Sequence, residues 1–383
     1  MSEPDALPEP DRIPGAPHPR EAEHVFGHDA EAAEFLAGHA SGRLHHGWLL
    51  TGPRGVGKAT LAWAMTRFLL ATPPADGDGL FGAPPAPDTL HIDSDHPVAR
   101  RVRALSNPGV FLLRCGGAGS TERDREKALQ EGRFSDMIRV DEVRKLRGYL
   151  ALSATDGGRR VVIVDDADAL NTQAANAILK MLEEPPARTT MLLISHQPAG
   201  LLPTIRSRCR TLRLSPLGAD DMARALDQAG ADIAPGDAPA FAELSAGSVG
   251  AAMRLAALDG LALYRELVAV LAGAPAPDRA RLMTLADSCA GRGREERLDL
   301  VLTLLDLLAA RIARTGVTGA GPALDLAPDE GAVLRRLAPD AAAARRWAQA
   351  VADTGARARH ARAVNIDAGA LVTDLLLGLS RAA

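Results

Sequence analysis

The chain is poor in cysteine, in aromatic residues and in long apolar runs, and each shortage excludes a class of protein. Its 383 residues include three cysteines that lie far apart and form no CxxC pair, which excludes a disulfide-stapled secreted scaffold and favours a reducing compartment. Aromatic residues make up 3%, and none alternates with a basic stretch, so a stacking platform for single-stranded nucleic acid is not indicated. No apolar run reaches about 18 residues, so no membrane-spanning helix is expected.

Charge is nearly balanced along this chain. Lys and Arg total 44 and Asp and Glu total 48, and the formal net charge of −4 does not fit a protein that coats nucleic acid by bulk electrostatics. Hydrophobic residues make up 46%, which indicates folded cores, and the length is typical of two or three domains. The first residues are Pro-rich and acidic, unlike a signal peptide, so we expect a cytoplasmic protein without a membrane partner.

The apolar periodicity divides the chain into four parts. Residues 1–22 are rich in proline and charge and predict a disordered lead-in. Residues 23–215 alternate short apolar runs with helical spacing, which predicts a doubly wound α/β domain with a parallel sheet. Only helical periods follow, so we predict a small helical domain over residues 216–258 and an all-helical domain over residues 259–383.

Four short apolar runs predict the strands of the α/β domain. They are Trp48–Thr51, Val110–Leu113, Val161–Val164 and Met191–Ile194. Val161–Val164 is a continuous β-branched run, which is typical of a strand that is buried on both faces of a parallel sheet. Between the second and third runs, Val143, Leu146 and Leu150 share one face of a predicted helix, with Asp141 as its expected N-cap.

A glycine-rich loop follows the first predicted strand. Gly52, Gly55, Gly57 and Lys58 fit the G-x-x-x-x-G-K pattern between a strand and a helix, which is the context that a phosphate-binding loop requires. Glycines let successive N–H groups point at a phosphate, and the helix N-terminus adds its positive dipole end. The sequence therefore predicts a candidate site for ATP at this loop.

A carboxylate ends the third predicted strand. Asp165 directly follows the buried run and is the candidate Walker B residue, which would lie near the same metal ion from a neighbouring strand end. An acidic residue in this position is also common as a simple turn residue. The phosphate loop nearby favours the functional interpretation.

Several longer stretches resemble the AAA+ subunits of the bacterial DNA polymerase III clamp loader, and most closely those of the delta-prime type. The stretches that carry the resemblance are Arg43–Trp48, Ile138–Asp141, Asp165–Asp166, Asn171–Pro186, Ser207–Cys209 and Ala363–Asp367. The resemblance implies an AAA+ core, a small helical lid and a helical collar through which five subunits assemble. It covers most of the chain from about residue 24.

The same resemblance implies a function and its partners. Arg208 of the Ser-Arg-Cys motif would act in trans on ATP held by a neighbouring subunit. The chain would be a subunit of the polymerase holoenzyme that supports ATP-driven loading of the sliding clamp onto primed DNA. Its direct partners would be the motor ATPase subunits and the delta subunit.

Three departures from the pattern of active AAA+ ATPases predict little hydrolysis by this chain. Ala59 stands where a Ser or Thr hydroxyl would bind Mg²⁺, and Thr60 comes one position late. Asp166 stands where a Glu would polarise the attacking water, and Gly250 stands where the lid would supply an arginine. Two interpretations stay open, since the loop either holds ATP with Mg²⁺ without hydrolysing it or is a structural remnant.

Zinc is not expected. Many relatives carry a four-cysteine zinc module after the first helix of the core, but the corresponding stretch, Ala71–Arg114, contains no cysteine. A structural zinc ion needs four Cys or His ligands at short spacing.

Two rival functions stay open from sequence alone. A working motor-type AAA+ ATPase would require Thr60 or Asp166 to replace the missing groups. A small-molecule P-loop kinase fits poorly, because it explains neither the Ser-Arg-Cys motif nor the helical C-terminal third.

Overall fold

The computed structural model describes residues 8–13, 16–72, 87–151, 158–291, 293–363 and 367–382. The chain divides into two compact units. One unit comprises Met1–Pro235 and Ala246–Met253, and the other comprises Gly236–Ser245 and Arg254–Ala383. This division does not separate residues 216–258 as a body of their own, and the predicted three-domain boundaries remain a prediction.

The first unit contains one parallel sheet. Its strands are β1 (Gly47–Thr51), β2 (Val110–Arg114), β3 (Arg160–Asp165), β4 (Thr189–Ser195) and β5 (Arg210–Arg213). Their order is β2-β3-β4-β1-β5, and every neighbouring pair is parallel. All residues of β1 and β4 are buried, as their apolar sequences predict for central strands. The predicted α/β class with a parallel sheet is confirmed.

Helices connect and follow these strands. Those that begin before residue 230 are α1 (Asp29–Ala40), α2 (Lys58–Ala71), α3 (Pro97–Arg103), α4 (Glu122–Gln130), α5 (Val140–Ala151), α6 (Thr172–Glu183), α7 (Pro203–Arg206) and α8 (Ala219–Gln228). The later ones are α9 (Ala238–Leu244), α10 (Val249–Ala257), α11 (Gly260–Ala272), α12 (Arg279–Cys289), α13 (Glu295–Thr318), α14 (Glu330–Leu337), α15 (Ala341–Ala363) and α16 (Ala368–Ala382). None of the described helices is long and apolar enough to cross a membrane.

Helix α5 confirms one expectation and corrects another. Val143, Leu146 and Leu150 are all buried, and they join the core on one face of the sheet. Asp141 lies in the first turn of the helix and is not its N-cap, because the helix begins at Val140. The carboxylate of Glu142 accepts a hydrogen bond from the backbone N–H of Arg139 at 2.9 Å, so this residue satisfies a free donor before the helix.

Helices are the only regular elements among the described residues of the second unit, which has a buried polar centre. The carboxylate of Glu330, fully buried, accepts hydrogen bonds from Tyr264 Oη at 2.5 Å and from Arg311 Nε at 2.8 Å. The backbone N–H of Leu326 donates to its second oxygen at 2.6 Å. These contacts join α11, α13, α14 and the loop before α14 around one carboxylate.

Part of the predicted disordered lead-in, which stays a prediction, makes defined contacts in the structure. Residues 8–13 and 16–22, called here the N-terminal segment, contact other parts of the first unit, and Pro19–Glu21 forms a 3-10 helix. Arg67 of α2 donates to the backbone oxygens of Arg20 and Ala22 at 3.0 and 2.8 Å. Composition suggested disorder because the segment is nearly without apolar residues, yet ion pairs and backbone hydrogen bonds hold it.

Candidate nucleotide site and trans-acting arginine

The predicted phosphate loop lies between β1 and α2 and has the backbone that only glycine adopts with ease. Gly52, Gly55 and Gly57 have φ values of 144°, 74° and 102°. A Cβ atom on Gly52 would lie 2.3 Å from the carbonyl oxygen of Leu214, and one on Gly55 would lie 2.3 Å from Ser248 Oγ. The loop therefore requires glycine at these positions for both torsion and space.

Lys58 is the first residue of α2, and its ammonium group turns back onto the loop. Its Nζ donates to the carbonyl oxygens of Gly52 at 2.8 Å and Pro53 at 2.5 Å. Burial lowers the pKa of this lysine to about 8, although the nearby Asp165 carboxylate opposes that shift. A phosphate at this loop would have to replace the two carbonyl contacts.

Asp165 lies at the carboxyl end of β3, at the same edge of the sheet as the loop. Burial raises its pKa to about 7, and the negative charges of Asp11 and Asp166 add to the shift. Lys58 and Arg114 act in the opposite direction. A raised carboxyl pKa of this kind is common where a protein assembles a ligand or metal site.

Asp166 is engaged by its neighbours. One of its oxygens lies 3.3 Å from His196 Nε2 and 3.5 Å from the Arg54 guanidinium, and the other accepts the backbone N–H of Asp168 at 2.7 Å. Burial alone would raise the pKa of Asp166, but the hydrogen bond from His196 contributes to a net lowering. The shorter carboxylate is thus held in place rather than directed freely at the loop.

His196 and Asp168 were missed by the sequence argument. Asp168 accepts hydrogen bonds from Ser195 Oγ at 2.6 Å and from the backbone N–H groups of His196 and Gln197 at 2.5 and 3.0 Å, which ties the turn after β3 to the end of β4. The available signal was positional, because polar residues that follow parallel strands gather at one edge of the sheet.

The donor set fits a phosphate better than it fits a catalytic Mg²⁺ ion. Glycine backbone, a lysine and a helix N-terminus are the ordinary phosphate ligands. Ala59 offers no hydroxyl, and Thr60 is about 100° further around the helix, so its side chain points in a different direction. The predicted role of Thr60 remains a prediction, and so does the absence of zinc, since residues 73–86 lie outside the described part of the chain.

Arg208 lies at the amino ends of the strands, in the turn that leads into β5, whereas the phosphate loop lies at the carboxyl ends. Its guanidinium pairs with Glu183 at 2.9 Å and donates to the carbonyl oxygen of Thr204 at 3.2 Å. The backbone of Arg208 is next to Gly47, where β1 begins, whereas the phosphate loop follows the end of β1. The strand alone separates the two by about 16 Å, so Arg208 does not join the other predicted site residues.

Known proteins resemble this chain most clearly over the first unit. Residues 28–218 match the family described as "DNA polymerase III, delta subunit". DNA polymerase III subunit delta' of Pseudomonas aeruginosa is 41% identical over 164 residues, which cover 43% of this chain and 41% of that protein. The Escherichia coli subunit delta' is 33% identical over 184 residues, or 48% of this chain and 46% of that protein.

Residues 28–218 thus belong to the family described as "DNA polymerase III, delta subunit", and the relatives that they resemble are delta-prime subunits. The match spans less than half the length of the two delta-prime relatives. Subunit tau of Salmonella typhimurium is more distant, at 26% identity over 211 residues, which cover 53% of this chain and 27% of that protein.

A solved gamma subunit-related protein of Thermotoga maritima is 14% identical to this chain. The comparison covers 91% of this chain and all of that one, with a TM-score of 0.38.

One stretch that carries the resemblance named from the sequence is Ala363–Asp367. Its residues 364–366 lie outside the described part of the chain.

Proposed function

We propose that this chain is a subunit of a DNA polymerase III clamp loader that lends Arg208 to an ATP site on a neighbouring subunit. Its partners would be the motor ATPase subunits and the delta subunit, and through them the sliding clamp and primed DNA. The names of the relatives support a place in the polymerase holoenzyme.

The position of Arg208 is the observation that carries this proposal. The residue lies at the amino ends of the strands, away from the phosphate loop of its own chain, which supports a role toward an ATP held by another molecule. Its side chain is 37% exposed, and that of its partner Glu183 is 42% exposed, so a neighbour's phosphate could replace that carboxylate. An added guanidinium stabilises the charge that develops on a transferred phosphoryl group.

The residues around the chain's own phosphate loop support the proposal that this chain hydrolyses little ATP itself. Ala59 lacks the Mg²⁺ hydroxyl, Asp166 is occupied by His196 and Arg54, and Gly250 supplies no lid arginine. ATP with Mg²⁺ at this loop is therefore proposed as a ligand to be bound at most, and not as a substrate. The rival proposal, a motor-type ATPase, would need these three losses to be compensated.

The direct test uses the assembled loader with Arg208→Ala in this subunit. We expect ATP turnover at the neighbouring site to fall by at least tenfold, because arginine fingers contribute on the order of 10³–10⁵ to the rate. Gel filtration should show unchanged assembly. Arg206→Ala, at an exposed arginine two residues away, is the matched control and should leave turnover unchanged. An unaltered rate in Arg208→Ala would refute the role of this residue.

A further inference from the structure

The N-terminal segment is anchored at the carboxyl edge of the sheet by ion pairs. Arg114, the last residue of β2, pairs with Asp11 at 2.5 Å and with Glu9 at 3.3 Å. Glu9 also receives the guanidinium groups of Arg20 at 2.6 Å and Arg12 at 3.2 Å. The side chain of Asp11 is only 5% exposed. Two carboxylates thus lie beside the strand ends where the candidate site is built.

A buried histidine of the same segment, His18, contacts both Asp11 and helix α2. The backbone N–H of Arg20 donates to Nδ1 of His18 at 3.1 Å, so Nε2 carries the proton and faces Asp11 at 3.1 Å. The imidazole packs edge-on against Trp63 of α2, with ring centroids 6.0 Å apart. His18 and Asp11 are nearly inaccessible to solvent, which a loose tail would not show.

The next residues of the segment reach the phosphate loop itself. A Cβ atom on Gly250 would lie 2.6 Å from Ile13 Cδ1 and 3.3 Å from the Cα atom of Gly55. The backbone N–H of Gly250 donates to the carbonyl oxygen of Gly55 at 3.2 Å. Ile13 therefore lies in the space into which a side chain at position 250 would extend, directly beside the phosphate loop.

Glu9, Asp11 and His18 also have the residue types of a metal site, and their ligand atoms lie within 4.8 Å of one another. The arginines argue against a metal ion. Arg12, Arg20 and Arg114 neutralise both carboxylates, and positive groups packed around a donor set repel a cation. The cluster is better explained as a set of ion pairs that holds the N-terminal segment in place, and Glu9, Asp11 and their arginine partners are called here the clasp.

We propose that the N-terminal segment is an intramolecular competitor of nucleotide at the phosphate loop. Asp11 pairs with Arg114 and so occupies a guanidinium that a phosphate could otherwise contact, and Ile13 fills the space beside Gly55. ATP binds when the segment is displaced. The inference concerns the chain alone, so it stands or falls independently of the proposed assembly with other subunits.

The test is nucleotide binding after removal of the clasp, measured with a fluorescent N-methylanthraniloyl-ATP and Mg²⁺. Deletion of residues 2–16 removes Glu9, Asp11 and Ile13 but keeps the 3-10 helix that Arg67 holds. We expect the dissociation constant to fall at least tenfold relative to the full chain. Lys58→Ala in the deleted chain should reverse the gain, which locates the binding at the phosphate loop.

A second variant guards against a folding defect in the deletion. The triple substitution Glu9→Gln, Asp11→Asn and Ile13→Gly keeps the chain length and should also strengthen binding. Asp95→Asn breaks an exposed ion pair with Arg100 and is the matched control, with no expected change. The proposal is wrong if the triple variant, folded by circular dichroism, binds no more tightly than the full chain, or if the gain survives Lys58→Ala.

Discussion

At the scale of single residues, the candidate site is built from groups that are costly to bury. Asp165 is a buried carboxyl beside two other acidic residues, and Lys58 is a largely buried ammonium group. Burial disfavours the charged form of each group, so both positions lower the stability of the folded protein. Such costs are typical of a site retained for a ligand.

Substitution of Asp165 should show this cost directly. The folded-state pKa of about 7 lies above the ordinary value of 3.8, so the folded protein holds the proton more tightly, and the wild-type free energy of unfolding falls as pH rises from about 4 to 7. Asp165→Asn should remove that slope and stabilise the protein at pH 8 by on the order of 4 kcal/mol, converted from the shift. Urea unfolding in EDTA across pH 4–8 measures it, and an unchanged slope would contradict the prediction.

At the scale of secondary-structure elements, hydrophobic faces and buried polar groups have different roles. Helix α5 packs its apolar face as the periodicity predicts. In the second unit, by contrast, Arg311 joins several elements. It forms ion pairs with Glu330 of α14 and Glu243 of α9, each at 2.8 Å. It also donates a hydrogen bond to the carbonyl oxygen of Leu324 at 2.7 Å. A substitution there should therefore disturb several elements together.

Arg311→Met should lower the free energy of unfolding by about 3–5 kcal/mol, because it leaves Glu330 buried without its guanidinium partner. Adding Glu330→Leu should recover part of the loss, since no unpaired buried charge then remains and the carboxylate of Glu243 is half exposed to solvent. Urea unfolding followed by far-UV circular dichroism measures both. Arg357→Met, which breaks an exposed pair with Asp374, is the control and should have little effect. A double variant less stable than Arg311→Met would refute the argument.

At the scale of the whole molecule, the parallel sheet separates the phosphate loop from Arg208. The phosphate loop follows the carboxyl end of β1, and Arg208 lies near its amino end. One chain does not bring both to the same phosphate, so under the proposed function they serve two different ATP molecules. In the proposed loader this chain contributes the arginine to its neighbour's site.

The chain alone should therefore turn over Mg-ATP at no measurable rate. Purified wild type and Lys58→Ala should be indistinguishable, and the rate should not rise with protein concentration. Phosphate release measured over a concentration series provides the test. Turnover that is abolished by Lys58→Ala would instead indicate an active ATPase and favour the motor-type alternative.

The sequence by itself determined the α/β class, four of the five strands, the phosphate loop and Asp165 at the end of β3. These features depend on local chemistry, because a buried parallel strand needs a continuous apolar run and the loop needs glycine at fixed spacing. The differences from active AAA+ ATPases at Ala59, Asp166 and Gly250 could also be seen in the sequence, since a missing functional group is a property of the residue itself.

Only the tertiary structure decided what surrounds those groups. His196 reaches Asp166 because two parallel strands end side by side, and nothing in the local sequence of either strand records that neighbour. The N-terminal segment was expected to be disordered, yet Arg114, 103 residues further along the chain, holds Asp11 near Asp165. Ion pairs between distant parts of a chain carry no sequence period, whereas a helical face or a buried strand does.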